Sequence, residues 1–93
     1  MKAIWNGVII AESDKTIVVE NNHYFPIESV NNEFLVLSDL QTMCPWKGKA
    51  NYFSLKIADT VNNNAAWYYQ EPSDAAKHIK GMVAFWKGVK IKS

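Results

Sequence analysis

Turn-forming residues interrupt this chain so often that no regular element can run far. Uninterrupted apolar stretches such as Gly7–Ala11 and Met82–Trp86 fall far short of the ~18–20 residues a membrane-spanning helix needs. The same brevity leaves no apolar core for a secretory leader, because Ala3-Ile4-Trp5 is broken at once by Asn6-Gly7 and Val8–Ala11 by Glu12. What remains is a series of strand-length runs. Val8–Glu12 and Thr16–Glu20, rich in β-branched residues, flank Ser13-Asp14-Lys15 and predict an antiparallel hairpin. Asn21-Asn22 ends that run, His23–Pro26 is a brief extended piece, Ile27–Asn31 a turn or single helical turn, and Phe34–Leu37 a buried strand.

The chain past Asp39 reads as irregular up to Lys49. Asn51–Ile57 then alternates, with Phe53, Leu55 and Ile57 on the core face and Tyr52, Ser54 and Lys56 on the other. Thr60–Asn64 reads as a turn and Ala65–Gln70 as an aromatic strand. Glu71-Pro72-Ser73-Asp74 has the residues of a helix start, Ala75, Ala76 and Ile79 share one helical face, and Gly81 supplies the stop. Met82–Trp86 and Val89–Lys92 predict a last strand pair across Lys87-Gly88, with Val89 and Ile91 pointing in. About seven or eight short strands and one short helix near the C-terminus, with no alternation of helix and strand, predict a mainly β domain. The expected form is a compact antiparallel barrel or rolled sheet, one domain over residues 1–93.

Composition narrows the chemistry. Twelve aromatic residues, four each of Trp, Tyr and Phe, supply large apolar area for one modest core. All ten basic residues are Lys, so the planar two-pronged hydrogen bonds by which Arg grips phosphate, carboxylate or guanine are missing. Sequence-specific nucleic-acid reading is therefore not expected, and neither is a membrane partner. The first half of the chain is acidic and the second basic, for a net charge of +1, and Lys87, Lys90 and Lys92 read as a solvated edge. With Cys44 as the only cysteine and His23 and His78 the only histidines, no internal disulfide and no zinc-type spacing exist, which fits a reducing cytoplasm. No metal site and no cofactor are expected.

The segment Thr42-Met43-Cys44-Pro45-Trp46-Lys47-Gly48 is the least explicable as packing alone. Pro45 fixes its own φ and pushes Cys44 to an extended conformation, while Gly48 permits a left-handed exit. Lys47 brings a charge, the amides around Gly48 could converge on an anion, and Trp46 offers a flat face. A buried Trp with a solvated Lys accounts for the same residues. Trp67 and Tyr69 share one face of their strand, and Tyr52 lies on the non-core face of another. Trp46, Tyr52, Trp67 and Tyr69 could thus wall a pocket with Lys47 at its mouth, and Lys47, Gly48 and these aromatics form the candidate ligand-binding set. The ligand expected there is an anionic, ring-bearing small molecule. Cys44 and Lys47 are the catalytic candidates if the protein is an enzyme, with His23 or His78 able to activate the thiol only if the fold brings them near. An interaction or structural protein, such as a homodimer using spare aromatic surface, is the third reading.

From Val19 to Val89 the chain resembles a small family of bacterial and fungal proteins defined as a domain of unknown function and also grouped under a nucleotidyltransferase-like heading. The resemblance rests on Tyr24-Phe25-Pro26, on Cys44-Pro45-Trp46-Lys47-Gly48 followed by Ala50 and Tyr52, on Ala66-Trp67 with Tyr69 and Pro72, and on Ile79 with Gly81, Ala84 and Phe85. It implies a compact, mainly β fold with this loop at the centre of the shared surface. The chain lacks the basic residue usual before the first of these motifs, and Gln70 stands where a Pro is usual. Nucleotidyl transfer normally uses paired carboxylates to hold Mg²⁺. The nearest spacing, Glu12-Ser13-Asp14, sits in a turn. A phosphate loop is absent too, with Met43 in the first Gly position and Ala50 in the hydroxyl position.

Overall fold

Two-residue turns in left-handed conformation decide which strands pair. Asn6 and Gly7, at φ 52° and 73°, close a hairpin between β1 (Lys2–Trp5) and β2 (Val8–Glu12) in the computed structural model, which describes residues 1–93. Asn-Gly adopts this mirror-image turn at little cost, and its twist matches that of the flanking strands. Glu20 and Asn21, at φ 52° and 66°, do the same between β3 (Ile17–Val19) and β4 (Asn22–Tyr24). The expected hairpin of Val8–Glu12 with Thr16–Glu20 therefore does not form: each run folds back on a nearer partner across a tighter turn. The last two strands, β8 (Val83–Phe85) and β9 (Lys90–Lys92), likewise do not pair with each other. β9 lies beside β1, and β8 beside β7 (Thr60–Tyr68).

Three antiparallel sheets result, in the orders β2-β1-β9, β3-β4 and β5-β6-β7-β8, where β5 is Leu35–Cys44 and β6 is Gly48–Ile57. None of them closes into a barrel. Reciprocal hydrogen bonds from Phe25 N to Val83 O (2.8 Å) and from Val83 N to Phe25 O (2.9 Å) join the end of β4 to β8. The row thus continues as β5-β6-β7-β8-β4-β3, the rolled form of the expected architecture. Side chains alternate across it with period two. Phe25, Leu55, Ala66, Val83 and Phe85 face the core shared with Ala3, Ile10 and Ala11 of the first sheet. Tyr24, Ala50, Tyr69 and Ala84 face a smaller second core closed by Ala76 and Ile79.

Strand β5 departs most from expectation. It runs unbroken through the stretch that reads as irregular, and its outer edge has no partner. Leu37, expected inside, is 78% exposed. Between Leu37 and Gln41 the register against β6 slips by two residues, and β7 slips at the same level, with Asn64 at φ 57°. Ser38 Oγ bonds Asn64 Oδ1, and the Asn64 N–H donates to Ser54 Oγ at 3.0 Å. Bulges on both sides of β6 bend the sheet where it must curl. The extra residues of β7 also make Thr60–Asn64 strand rather than turn. The turn is Ala58-Asp59.

The expected helix near the C-terminus is a 3-10 helix, Asp74–Ile79. Ser73, at the cap position and one of the two residues of the helix start able to cap it, makes no side-chain cap bond, because its hydroxyl donates to the Trp46 carbonyl oxygen instead. With i→i+3 bonds, Ala76 and Ile79 stack on one inward edge while Ala75 is exposed. No helix is long and apolar enough to cross a membrane.

Leu55 and Leu37 lie in neighbouring strands of one sheet but differ in environment, since Leu55 is fully buried. Leu55→Ala should lower unfolding free energy by about 2–5 kcal/mol, whereas Leu37→Ala should change it by less than about 0.5 kcal/mol. Urea denaturation of the two variants measures the difference.

Candidate functional site

The β5–β6 connection is built so that its lysine points inward. Cys44 pairs with Gly48 across the turn, and Gly48 sits at φ 110° with the backbone of Glu71, Pro72 and Ser73 at 3.5–3.6 Å from where a Cβ would stand. Any side chain there would be strained by that φ. The close approach lets Ser73 hold the loop twice, its N–H donating to Lys47 O at 2.9 Å and its hydroxyl to Trp46 O. With both carbonyls fixed, the Trp46 side chain lies outside, 40% exposed, and the Lys47 side chain runs inward, leaving the residue 6% exposed. Lys47 therefore belongs to the wall of the site and not to its mouth.

A buried ammonium needs compensation, and three groups supply it. Glu20, on the β3–β4 turn, forms an ion pair with Lys47 Nζ. The rings of Trp46 and Tyr69 lie with their centroids 5.3 Å and 5.5 Å from Nζ, within cation–π range. Burial alone would favour the neutral amine. The Glu20 carboxylate, by accepting the ammonium's hydrogen bond and by its charge, overrides that and holds Lys47 above the ordinary lysine range. Accepting the lysine's hydrogen bond holds Glu20 below the ordinary carboxylate range. Burial pushes the Tyr69 phenol up to about 12, against the opposing pull of Lys47.

Above this pair the concave side of the sheet forms a depression of about 160 Å³ lined by Lys47, Tyr52, Trp67, Tyr69 and Trp86. Its rings are held at fixed angles. Trp67 stands edge-on to Tyr24 (centroids 6.3 Å, 89°) and to Trp86 (5.8 Å, 82°). The Trp67 indole N–H donates to Tyr24 Oη at 3.1 Å, and that of Trp86 to Asn64 O at 2.6 Å. Tyr52 Oη is 3.0 Å from Thr42 Oγ1.

Four of the sequence-derived ligand residues, Lys47, Tyr52, Trp67 and Tyr69, are thus brought together. The other two are not in the lining: Trp46 packs on the outer side of Lys47, and Gly48 supports the loop through its backbone. Trp86 and Glu20 were not predicted for the site. Extending the inward alternation of β8 from Ala84 to residue 86 would have found Trp86. Nothing local marks Glu20, whose role arises from a contact between distant turns. Cys44 is half-buried against the second core and makes no hydrogen bond. His23 Nδ1 lies 3.1 Å from Thr16 Oγ1, and His78 is exposed. Neither histidine bonds the thiol. Glu12 and Asp14 are both exposed, and no three His, Cys, Asp or Glu side chains gather as a metal-binding group.

Because the folded-state value of Glu20 is depressed, its contribution to stability is complete at neutral pH and is lost as pH falls through the carboxylate range. The melting temperature of the native chain should therefore fall more steeply between about pH 6 and about pH 3 than that of Glu20→Gln; parallel curves would show that the pair contributes nothing. Tyr69 has the opposite sense: its raised value means stability falls as pH rises from the ordinary phenol value toward about 12. Ultraviolet titration of Tyr69→Phe should lose the most alkaline phenol transition.

No curated protein matches the chain. A family model labelled NTP_transf_9 matches residues 1–92, and its description assigns no activity. That match spans both cores, the Lys47 loop, the Glu20 turn and every residue lining the depression, so the chain belongs to the family described as Domain of unknown function (DUF427).

Proposed function

We propose that this protein is a binding module for a ring-bearing small molecule that carries an anionic group. The observation that supports this reading is the meeting of Lys47 with Tyr52, Trp67, Tyr69 and Trp86 in one depression. Rigid, edge-packed aromatics with one charge among them are what a small-molecule site requires. A larger cleft of about 290 Å³ beside Lys49 and Glu71 has no aromatic or aliphatic lining, and so offers nothing for a ring to stack on.

The size of the depression divides the ligand into two parts. About 160 Å³ admits a single ring system, less than the ~300 Å³ or more typical of sites that enclose a whole drug-sized molecule. The ring stacks against Trp67 or Trp86, and the anionic group points to the wall formed by Lys47, whose ammonium Glu20 holds. Glu20 is the more exposed partner of that ion pair, so an incoming phosphate or carboxylate takes its place while the carboxylate turns to water. Glu20 is then an internal competitor, and the apparent affinity is reduced by the fraction of time it holds the lysine.

Calorimetry with adenosine 5′-monophosphate and adenosine tests this reading. The phosphate-bearing compound should bind more tightly, Lys47→Met should remove that advantage by about tenfold or more, and Glu20→Gln should strengthen it. Equal binding of the two compounds, or a Glu20→Gln variant that binds the monophosphate no better, overturns the anionic part. Absence of binding by either compound and by a panel of other phosphorylated ring compounds overturns the whole.

A further inference from the structure

A second charged feature lies on the three-stranded sheet and shares no residue with the aromatic depression. In the first sheet, Lys2 of β1 faces Lys92 of β9 as its direct cross-strand partner, and Ile4 faces Lys90. Directly opposed residues, and residues two apart on one strand, project from the same side of a sheet. The intervening Ala3 is fully buried and Ile91 packs on the core, so Lys2, Lys90 and Lys92 share the outer side. Like charges directly opposite each other are destabilising. Glu12 is the direct partner of Lys2 on its other flank, in β2, and offsets that one charge without forming an ion pair, which leaves Lys90 and Lys92 with no acidic partner across the sheet.

Below these lysines is a cleft of about 320 Å³ at the end of the sheet, lined by Ile4, Trp5, Lys90, Lys92 and the turns at Asn6-Gly7 and Gly88. No acidic side chain lines it. Lys87, the third lysine of this tail, is engaged elsewhere: its Nζ donates to Asn63 O at 2.9 Å and lies 5.2 Å from the Trp86 ring centroid. Lys90 and Lys92 are the ones left to the cleft.

Spacing narrows the ligand class. Alternate residues of a strand lie about 6.5–7 Å apart, and directly paired residues about 5 Å. A single phosphate can be met only by drawing the flexible lysine side chains and their like charges together, whereas a chain of phosphoryl groups can meet each ammonium at its own spacing. Lysine suits such a ligand because it acts as a point charge with no required fork geometry.

We propose that this cleft binds oligophosphate, a linear chain of two or more phosphoryl groups, with Lys90 and Lys92 as its principal contacts and Lys2 as a flanking charge. It is independent of the aromatic depression and does not rest on the function proposed for it. Neutralising the opposed lysines also removes their repulsion, so the bound anion stabilises the fold.

The test is a titration of the ¹⁵N-labelled protein with inorganic triphosphate and with adenosine triphosphate, followed by amide shifts at constant ionic strength. Amides of Asn6, Gly7 and Gly88 should move in a saturable way with both. Lys90→Gln with Lys92→Gln should weaken binding by about tenfold or more, while the charge-matched Lys77→Gln with Lys80→Gln should change it less than about twofold. Equal affinities for the two compounds assign recognition to the phosphate chain alone. Tighter binding of adenosine triphosphate with a shift of the Trp5 indole N–H adds base stacking to it. Shifts that fail to saturate, that follow sodium chloride equally, or that persist in the Lys90 and Lys92 double variant overturn the proposal.

Discussion

Two backbone hydrogen bonds between Phe25 and Val83 decide the shape of this molecule. Without them the β3–β4 hairpin would be a separate two-stranded ribbon, too small to be stable alone. With them it extends the four-stranded sheet as one curled row. Tyr24 and Trp67, on strands either side of β8, come into contact along that row, and its curl carries the Glu20 turn to Lys47. The ion pair is thus a consequence of the curl, made by turns near opposite ends of an open row. A depression on the concave side follows from the same curvature.

The site also shows how a small chain without arginine keeps a charge inside. A lysine ammonium is compact and strongly hydrated, and taking it out of water is costly. The chain meets that cost with one carboxylate and two aromatic faces, and does so from three separate segments. Glu20 contributes from a turn where it must adopt φ 52°, unusual for a residue that is neither Gly nor Asn. Ser73 contributes indirectly, by fixing the two carbonyls that turn the Lys47 side chain inward. The 3-10 form of the following segment belongs to the same arrangement, since the hydroxyl that would cap a longer helix is spent on the loop.

What could be read from the sequence was local in character. The alternation of Phe53, Leu55 and Ile57, the opposite facing of Tyr68 to Trp67 and Tyr69, and the stiff bend at Pro45 all follow from period and residue type, and each is present. Strand partnership was harder. Ser13-Asp14-Lys15 has the length of a hairpin loop, but Asn6-Gly7 is the stronger turn signal and it decided the pairing. The bulges at Ser38 and Asn64 were illegible, because a register slip arises from a cross-strand bond between residues 26 positions apart. Lys47 was identified, yet its burial was not, since the carboxylate that permits it lies at Glu20 on another sheet.

The free edge of β5 has a meaning for how these molecules coexist in solution. Val36, Leu37, Leu40 and Met43 all show apolar surface there, Met43 at 70% exposure. Ten residues of open edge would ordinarily invite another chain to add itself as the next strand. The slip between Leu37 and Gln41 divides that edge into two short pieces that cannot be matched by a single straight strand, and Asp39 sits at the division. A ladder interrupted in this way makes the edge of β5 a poorer template for an added strand than its length alone would suggest.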